Sequence, residues 1–137
     1  MATVADHTDC ERCGYPALRE LYTRSGEEFV TCQFCGWGYE IYIQEQDGDY
    51  RLDDQGHYVY DIIRKKPFGV FYIFHSDGFG EFRLLEEPIT EEVLRSIKNE
   101  LKETPEVDHD ATYLSRWNEE KEKVEFLIGK ERKTPSF

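Results

Sequence analysis

Along much of this chain apolar residues return at every second position, the spacing of strands with one covered face. Gly38 to Gln46 sets Tyr39, Ile41 and Ile43 on one side and Glu40, Tyr42 and Gln44 on the other, which predicts a half-buried strand. Ala17 to Thr23 and Glu27 to Thr31 read as two shorter strands joined through Ser25 and Gly26. Asp47-Gly48 is a dipeptide suited to a two-residue hairpin turn with positive φ, and Tyr50 to Leu52 starts the return strand. His57 to Arg64 and Gly69 to His75 are the most apolar strands, connected by Lys65-Lys66-Pro67. In the second of them both faces are apolar, so it needs cover on each side. Asp77-Gly78 turns the chain into Phe79 to Leu85, and the whole region is expected to be an antiparallel meander.

The period changes once. Val93, Leu94, Ile97 and Leu101 fall on one helical stripe, with Thr90 as N-cap, Glu91 and Glu92 in the first turn, Lys98 and Lys102 further on, and Pro105 as the stop. Ala111 to Trp117 and Lys123 to Ile128 then predict a last hairpin, with Leu127-Ile128 interrupting the alternation. Met1 to Asp9 is polar and expected to be mobile, and residues 129–137 are expected to form a flexible tail. The fold class is therefore α+β: an antiparallel sheet with one covering helix and a C-terminal hairpin, in a chain read as a single domain over residues 1–137.

Composition agrees with a β-rich fold. Aromatic residues make up 15% of the 137 residues, with nine Tyr and nine Phe. A chain of this length buries roughly two-thirds of its unfolded surface, enough for a core of its own. The formal charge of −12 changes the picture more. With no basic cluster concentrated in the cysteine region, direct nucleic-acid binding is disfavoured, and a protein partner with a basic surface is the expected complement. No apolar run approaches the ~20 residues of a membrane span, and no secretory leader pattern precedes the first strand, so the expected location is cytoplasmic.

All four cysteines stand in two matched turns, Cys10-Glu11-Arg12-Cys13-Gly14 and Cys32-Gln33-Phe34-Cys35-Gly36. Two cysteines three apart in a tight turn aim both sulfurs at one ion, and a second such turn completes a tetrahedron, so Cys10, Cys13, Cys32 and Cys35 are the expected ligands of one structural Zn2+. Loaded with zinc as four thiolates, the chain carries about −14. Gly14 and Gly36 follow the second cysteine of each pair, where a left-handed residue suits the curl of the chain. Two disulfides or a redox-active pair are the alternative readings of the same residues.

Other chemistry is sparse. There is no phosphate-cradling glycine loop, nucleophile elbow or zinc-protease helix, and no cysteine is left over as a nucleophile. The acidic group Asp47, Asp49, Asp53 and Asp54 lacks the glycine and the terminal glutamate of a calcium loop. If the strands around Pro67 pair as a hairpin, His57 falls near His75 and Asp77, a candidate acid/base group for a small hydrolase. The leading expectation is instead a non-enzymatic, acidic, zinc-binding protein that acts through protein–protein interaction, in concrete form an inhibitor or immunity-type protein against a nucleic-acid enzyme.

Residues 10–38, with Cys10-x2-Cys13-Gly14 and Cys32-x2-Cys35-Gly36-Trp37, resemble the zinc ribbon, a zinc-pinned β-structure of transcription, translation and DNA-processing proteins. That resemblance implies a ribbon subdomain over 10–38 fused to the sheet and helix of 39–128. Within it Thr23-Arg24-Ser25-Gly26-Glu27-Glu28 is similar to the hairpin tip of eukaryotic transcript-cleavage elongation factors and a related RNA polymerase subunit. It implies an interaction role for Arg24 and a tip acidic pair at Glu27 and Glu28, in a polymerase-associated factor. Here the pair is Glu-Glu where that family has Asp-Glu, and Glu28 lies four residues before Cys32.

Overall fold

The computed structural model describes residues 3–131. In chain order it contains β1 (Thr3–Asp9), β2 (Pro16–Tyr22), β3 (Glu27–Cys32), β4 (Gly38–Ile43), β5 (Glu45–Gln46), β6 (Asp49–Tyr50), β7 (Tyr60–Lys65), β8 (Gly69–Phe74), β9 (Gly80–Leu85), α1 (Glu91–Glu103), β10 (Tyr113–Asn118) and β11 (Lys123–Ile128). One sheet runs β1-β2-β3-β4-β7, a second runs β11-β10-β8-β9, and β5-β6 forms a small ribbon between β4 and β7 in sequence. All strand pairs among the described residues are antiparallel. The α+β class, the single covering helix and the C-terminal hairpin are as the sequence pattern predicts.

Two cores hold the sheets. The first gathers Cys10, Tyr15, Ala17, Val30, Cys32, Cys35, Trp37 and Val124, with Phe34, Tyr39, Trp117 and Phe126 packed around them. It joins the first sheet to β10 and β11. The second gathers Phe71, Ile73 and Leu114 beneath Ile97 and Leu101 of α1. Thr90 caps that helix by accepting the Val93 N–H at 3.2 Å, and the Thr104 N–H returns to Glu100 O just before Pro105. The helix therefore begins and stops at the predicted residues.

Several expectations need correction. Thr3–Asp9 is a strand, in register with β2 from Thr3↔Tyr22 to Asp9↔Pro16, where a mobile segment was expected. Every residue of it is exposed, so it contributes backbone pairing to the edge of β2 and needs no apolar period. The expected strand Gly38 to Gln46 breaks at Gln44. The chain leaves the sheet there, turns at Asp47 (φ 53°) and Gly48 (φ 87°) as the dipeptide requires, and returns to pair β7 with β4 from Ile43↔Tyr60 onward. Strands β7 and β8 do not form a hairpin: they belong to different sheets, and Pro67 marks the crossing. In the last hairpin a register shift between Leu114 and Ser115 leaves Leu127 as an extra residue, and both Leu127 and Ile128 pack toward the helix-covered core. Gly129 turns against the Thr112 carbonyl, and the rest of the expected tail lies outside the described residues from 132 onward. Among the described residues no helix is long and apolar enough to cross a membrane.

Candidate metal centre

The two cysteine turns occupy corresponding places: the first links β1 to β2, the second links β3 to β4, so both lie at the same end of the sheet. Their backbones match as well. Gly14 N–H returns to Cys10 O and Gly36 N–H to Cys32 O, each at 3.0 Å, while Cys10 N–H bonds Tyr15 O at 2.9 Å and Cys32 N–H bonds Trp37 O at 2.8 Å. Gly14 and Gly36 both sit at φ 80°, the left-handed conformation anticipated for them. Equivalent turns present equivalent sulfurs.

The four Sγ atoms lie within 4.8 Å of one another, and all four cysteines are free thiols. Cys10 and Cys35 are 3.6 Å apart and Cys13 and Cys32 3.4 Å apart, far beyond the ~2 Å of a disulfide bond. Sulfurs bound at about 2.3 Å to one tetrahedral ion stand roughly 3.8 Å from each other, close to both separations. Cys10, Cys32 and Cys35 are buried and Cys13 half-buried. The Phe34 and Cys35 N–H groups point at Cys32 Sγ, and the Trp37 N–H points at Cys35 Sγ, each at 3.4 Å, so the turns supply donors for thiolate charge.

The proton affinities of the cluster call for a cation. The Cys13 thiol, then those of Cys32 and Cys35, hydrogen-bond to Cys10 and hold its pKa far below the usual thiol range. Cys10 in turn, followed by Cys32 and Cys35, pushes Cys13 far up, and Cys32 is raised chiefly by Cys10. Cys35 is raised by Cys10 and lowered by Cys13 and Cys32, and ends at about 7. Without a metal the four sulfurs compete, with ionisation favoured at Cys10 and opposed at Cys13 and Cys32. A dication lets all four ionise together, which is what the donor set fits. Among the described residues no other group of three or more His, Cys, Asp or Glu ligand atoms is gathered in this way.

What the sequence did not reveal is how the second turn is fastened to the other sheet. Tyr113 Oη donates to Gln33 O at 2.7 Å and Ser115 Oγ to Phe34 O at 2.6 Å, both from β10. The Phe34 ring is stacked between Tyr15 (centroids 4.5 Å apart) and Tyr113 (5.1 Å), and Tyr113 continues the stack to Tyr72 of β8 (5.2 Å). From the first turn, Arg12 Nη2 donates to Cys35 O at 2.6 Å and its guanidinium lies 5.3 Å from the Trp117 ring. The cysteine cluster is thus the joint between the two sheets. Partners some 80 residues apart leave no local pattern to read.

Gly36 has no room for a side chain, because a Cβ there would stand 2.4 Å from Pro67 Cγ in addition to the strain of its positive φ. Gly36→Ala is expected to destabilise the protein by about 1–3 kcal/mol, measured by chemical denaturation of the metal-loaded form. A loss within about 0.5 kcal/mol would show that Pro67 yields freely and that the contact does not matter.

The other candidate residues are placed less favourably. The β2–β3 turn comprises residues 23–26, with Arg24 exposed on it, and Glu27 and Glu28 lie beyond it within β3. Glu28 Oε1 accepts from Arg19 Nε at 2.5 Å and from Tyr39 Oη at 3.2 Å, and Glu27 Oε2 accepts the Ile43 N–H at 3.1 Å. Both carboxylates are held inside the sheet and the turn does not extend them as a tip. His57, His75 and Asp77 lose the hairpin that was to align them. His57 N–H and the Asp53 carboxylate close one turn, and the Asp77 carboxylate accepts the Phe79 N–H in another, beside His75. No protein-family model, curated protein or solved structure matches this chain, and the four-cysteine cluster stands on its own geometry as a metal site compatible with zinc.

Proposed function

We propose that the chain is a non-enzymatic zinc protein of zinc-ribbon type that works by binding a basic protein partner, as an inhibitor or immunity-type protein of a nucleic-acid enzyme does. Cys10, Cys13, Cys32 and Cys35 hold one structural zinc, which supplies rigidity; four thiolates leave no coordination position for substrate. The observation that carries the reading is the excursion between β4 and β7. Residues 45–58 are exposed throughout and display Glu45, Asp47, Asp49, Asp53 and Asp54 beside Tyr50, Leu52 and Tyr58. The rings of Tyr50 and Tyr58 meet edge to face at 5.8 Å. Carboxylates interleaved with aromatic rings reproduce the two features a nucleic-acid cleft recognises, negative charge and stackable surface.

Affinity capture from the host lysate tests this reading when wild type is run beside a variant carrying Asp47→Asn, Asp49→Asn and Asp54→Asn. The expected partner is basic, is displaced by added nucleic acid, and is lost with the variant. Retention of every partner by the variant, unaffected by nucleic acid, would overturn it. Metal analysis of the purified protein is expected to find one zinc per chain.

A further inference from the structure

Among the described residues, six of the nine exposed large apolar side chains fall between Tyr50 and Ile63, and two of these, Ile62 (58% exposed) and Ile63 (42%), stand on opposite faces of β7. That strand closes one edge of the first sheet, and among the described residues no further strand pairs with it. The other edge of the sheet, β1, is managed differently: it is polar, with Val4 as its single large apolar residue. An edge strand with three exposed large apolar side chains, Tyr60, Ile62 and Ile63, invites another strand unless the charges on it repel every candidate.

We propose that this edge is filled by the same edge of a second copy, with β7 pairing antiparallel to β7 about a twofold axis. The charges on the strand select that occupant. Asp61 lies toward one end and Arg64-Lys65-Lys66 at the other, so reversing the direction of a second strand brings each acidic end to a basic one. The axis is perpendicular to the sheet and pairs only residues on the same face, so it passes midway between one residue and the same residue of the partner. Centred on Ile63, the register sets Ile63 against the partner's Ile63 and Asp61 against the partner's Lys65, twice over. Centred on Ile62, it sets Asp61 against the partner's Ile63 and forms neither ion pair. The Ile63 register is the one the charges favour. Within one chain Lys65 Nζ donates to Glu40 Oε1 at 2.8 Å and Asp61 Oδ1 accepts from Gln44 Nε2 at 2.5 Å, both toward the β4 side of the strand, so each interchain pair forms by turning these side chains to the open edge. A foreign strand meets two or three cations at one end without this match.

The test is light scattering coupled to gel filtration on the zinc-loaded full chain, over protein concentrations up to about 0.1 mM. The expected mass is twice the 16.3 kDa of the chain. Ile63→Lys places like charges on the axis, and Asp61→Lys sets lysine against lysine; each is expected to raise the dissociation constant about tenfold or more. Ile63 is exposed and Asp61 is half-buried against Gln44, so retained zinc and circular dichroism are read for each variant to show that the monomers are folded. The triple exchange Asp61→Lys with Lys65→Asp and Glu40→Lys reverses the polarity of the interchain pair and of the contact between positions 65 and 40 together, and is expected to recover the dimer. A single-chain mass at every concentration overturns the proposal, as does a dimer indifferent to Ile63→Lys. Failure of the triple exchange to recover what Asp61→Lys loses overturns the register centred on Ile63.

Discussion

Cys32→Ser is expected to abolish stable metal binding and to cost the protein several kcal/mol, within a ceiling on the order of 10 kcal/mol set by structural zinc in small finger peptides. Cys32 is fully buried, ends β3, receives two backbone N–H groups on its sulfur and lies 3.4 Å from Cys13 Sγ. A serine there keeps the approximate shape and removes the thiolate, so the remaining three sulfurs hold a metal less tightly and with an open position. The helix-covered core shares no residue with the cysteine core, which limits the damage. The variant should therefore retain helical dichroism while losing the first sheet. Acid acts in the same direction, because protons compete for the four thiolates and metal affinity falls as pH falls. Metal analysis and guanidinium unfolding check the prediction. A variant that still carries one metal per chain and unfolds at the wild-type midpoint would refute it.

Phe71→Ala should be the most damaging change away from the metal, at roughly 3–5 kcal/mol. The ring is 1% exposed, on β8 between β9 and β10, beneath the Ile97 and Leu101 face of α1. The Arg83 guanidinium covers it at 5.0 Å from the ring centroid, so a cavity there also removes a cation from its platform. The loss is read from denaturant midpoints in the zinc-loaded protein, with metal content expected to stay unchanged in the folded fraction. A cost below about 1 kcal/mol would mean that the helix moves in to fill the space and that this core is not close-packed.

Much of this arrangement is legible from local sequence, and the parts that are not have a common cause. The cysteine pairs and their glycines, the Thr90 cap, the Asp47-Gly48 turn and the stripe from Val93 to Leu101 each state their structure within a few residues. Strand Thr3–Asp9 does not, because an exposed edge strand needs no apolar alternation to pair its backbone. The partner choice of β7 does not either: a period of two says that a strand exists and not which strand lies beside it. Pairing His57 to Arg64 with Gly69 to His75 across Pro67 was the nearest option along the chain. The sheet-to-sheet joint made by Gln33, Phe34, Tyr113 and Ser115 depends on contacts across some 80 residues. The candidate site was thus readable as a metal site, while its place between two sheets was visible only in three dimensions.

The metal-bound cysteines are expected to hold the first sheet in shape and to fasten it to the second. Hydrogen exchange, compared between the zinc-loaded protein and the same protein after chelation, tests this amide by amide. Chelation is expected to strip protection from the Cys32 and Gly36 N–H groups, from the β2–β3 ladder, and from the Tyr113–Ser115 stretch of β10 that donates to the second cysteine turn. The α1 amides should stay protected. Full protection of the amides between Cys10 and Trp37 after the metal has been removed would contradict the account.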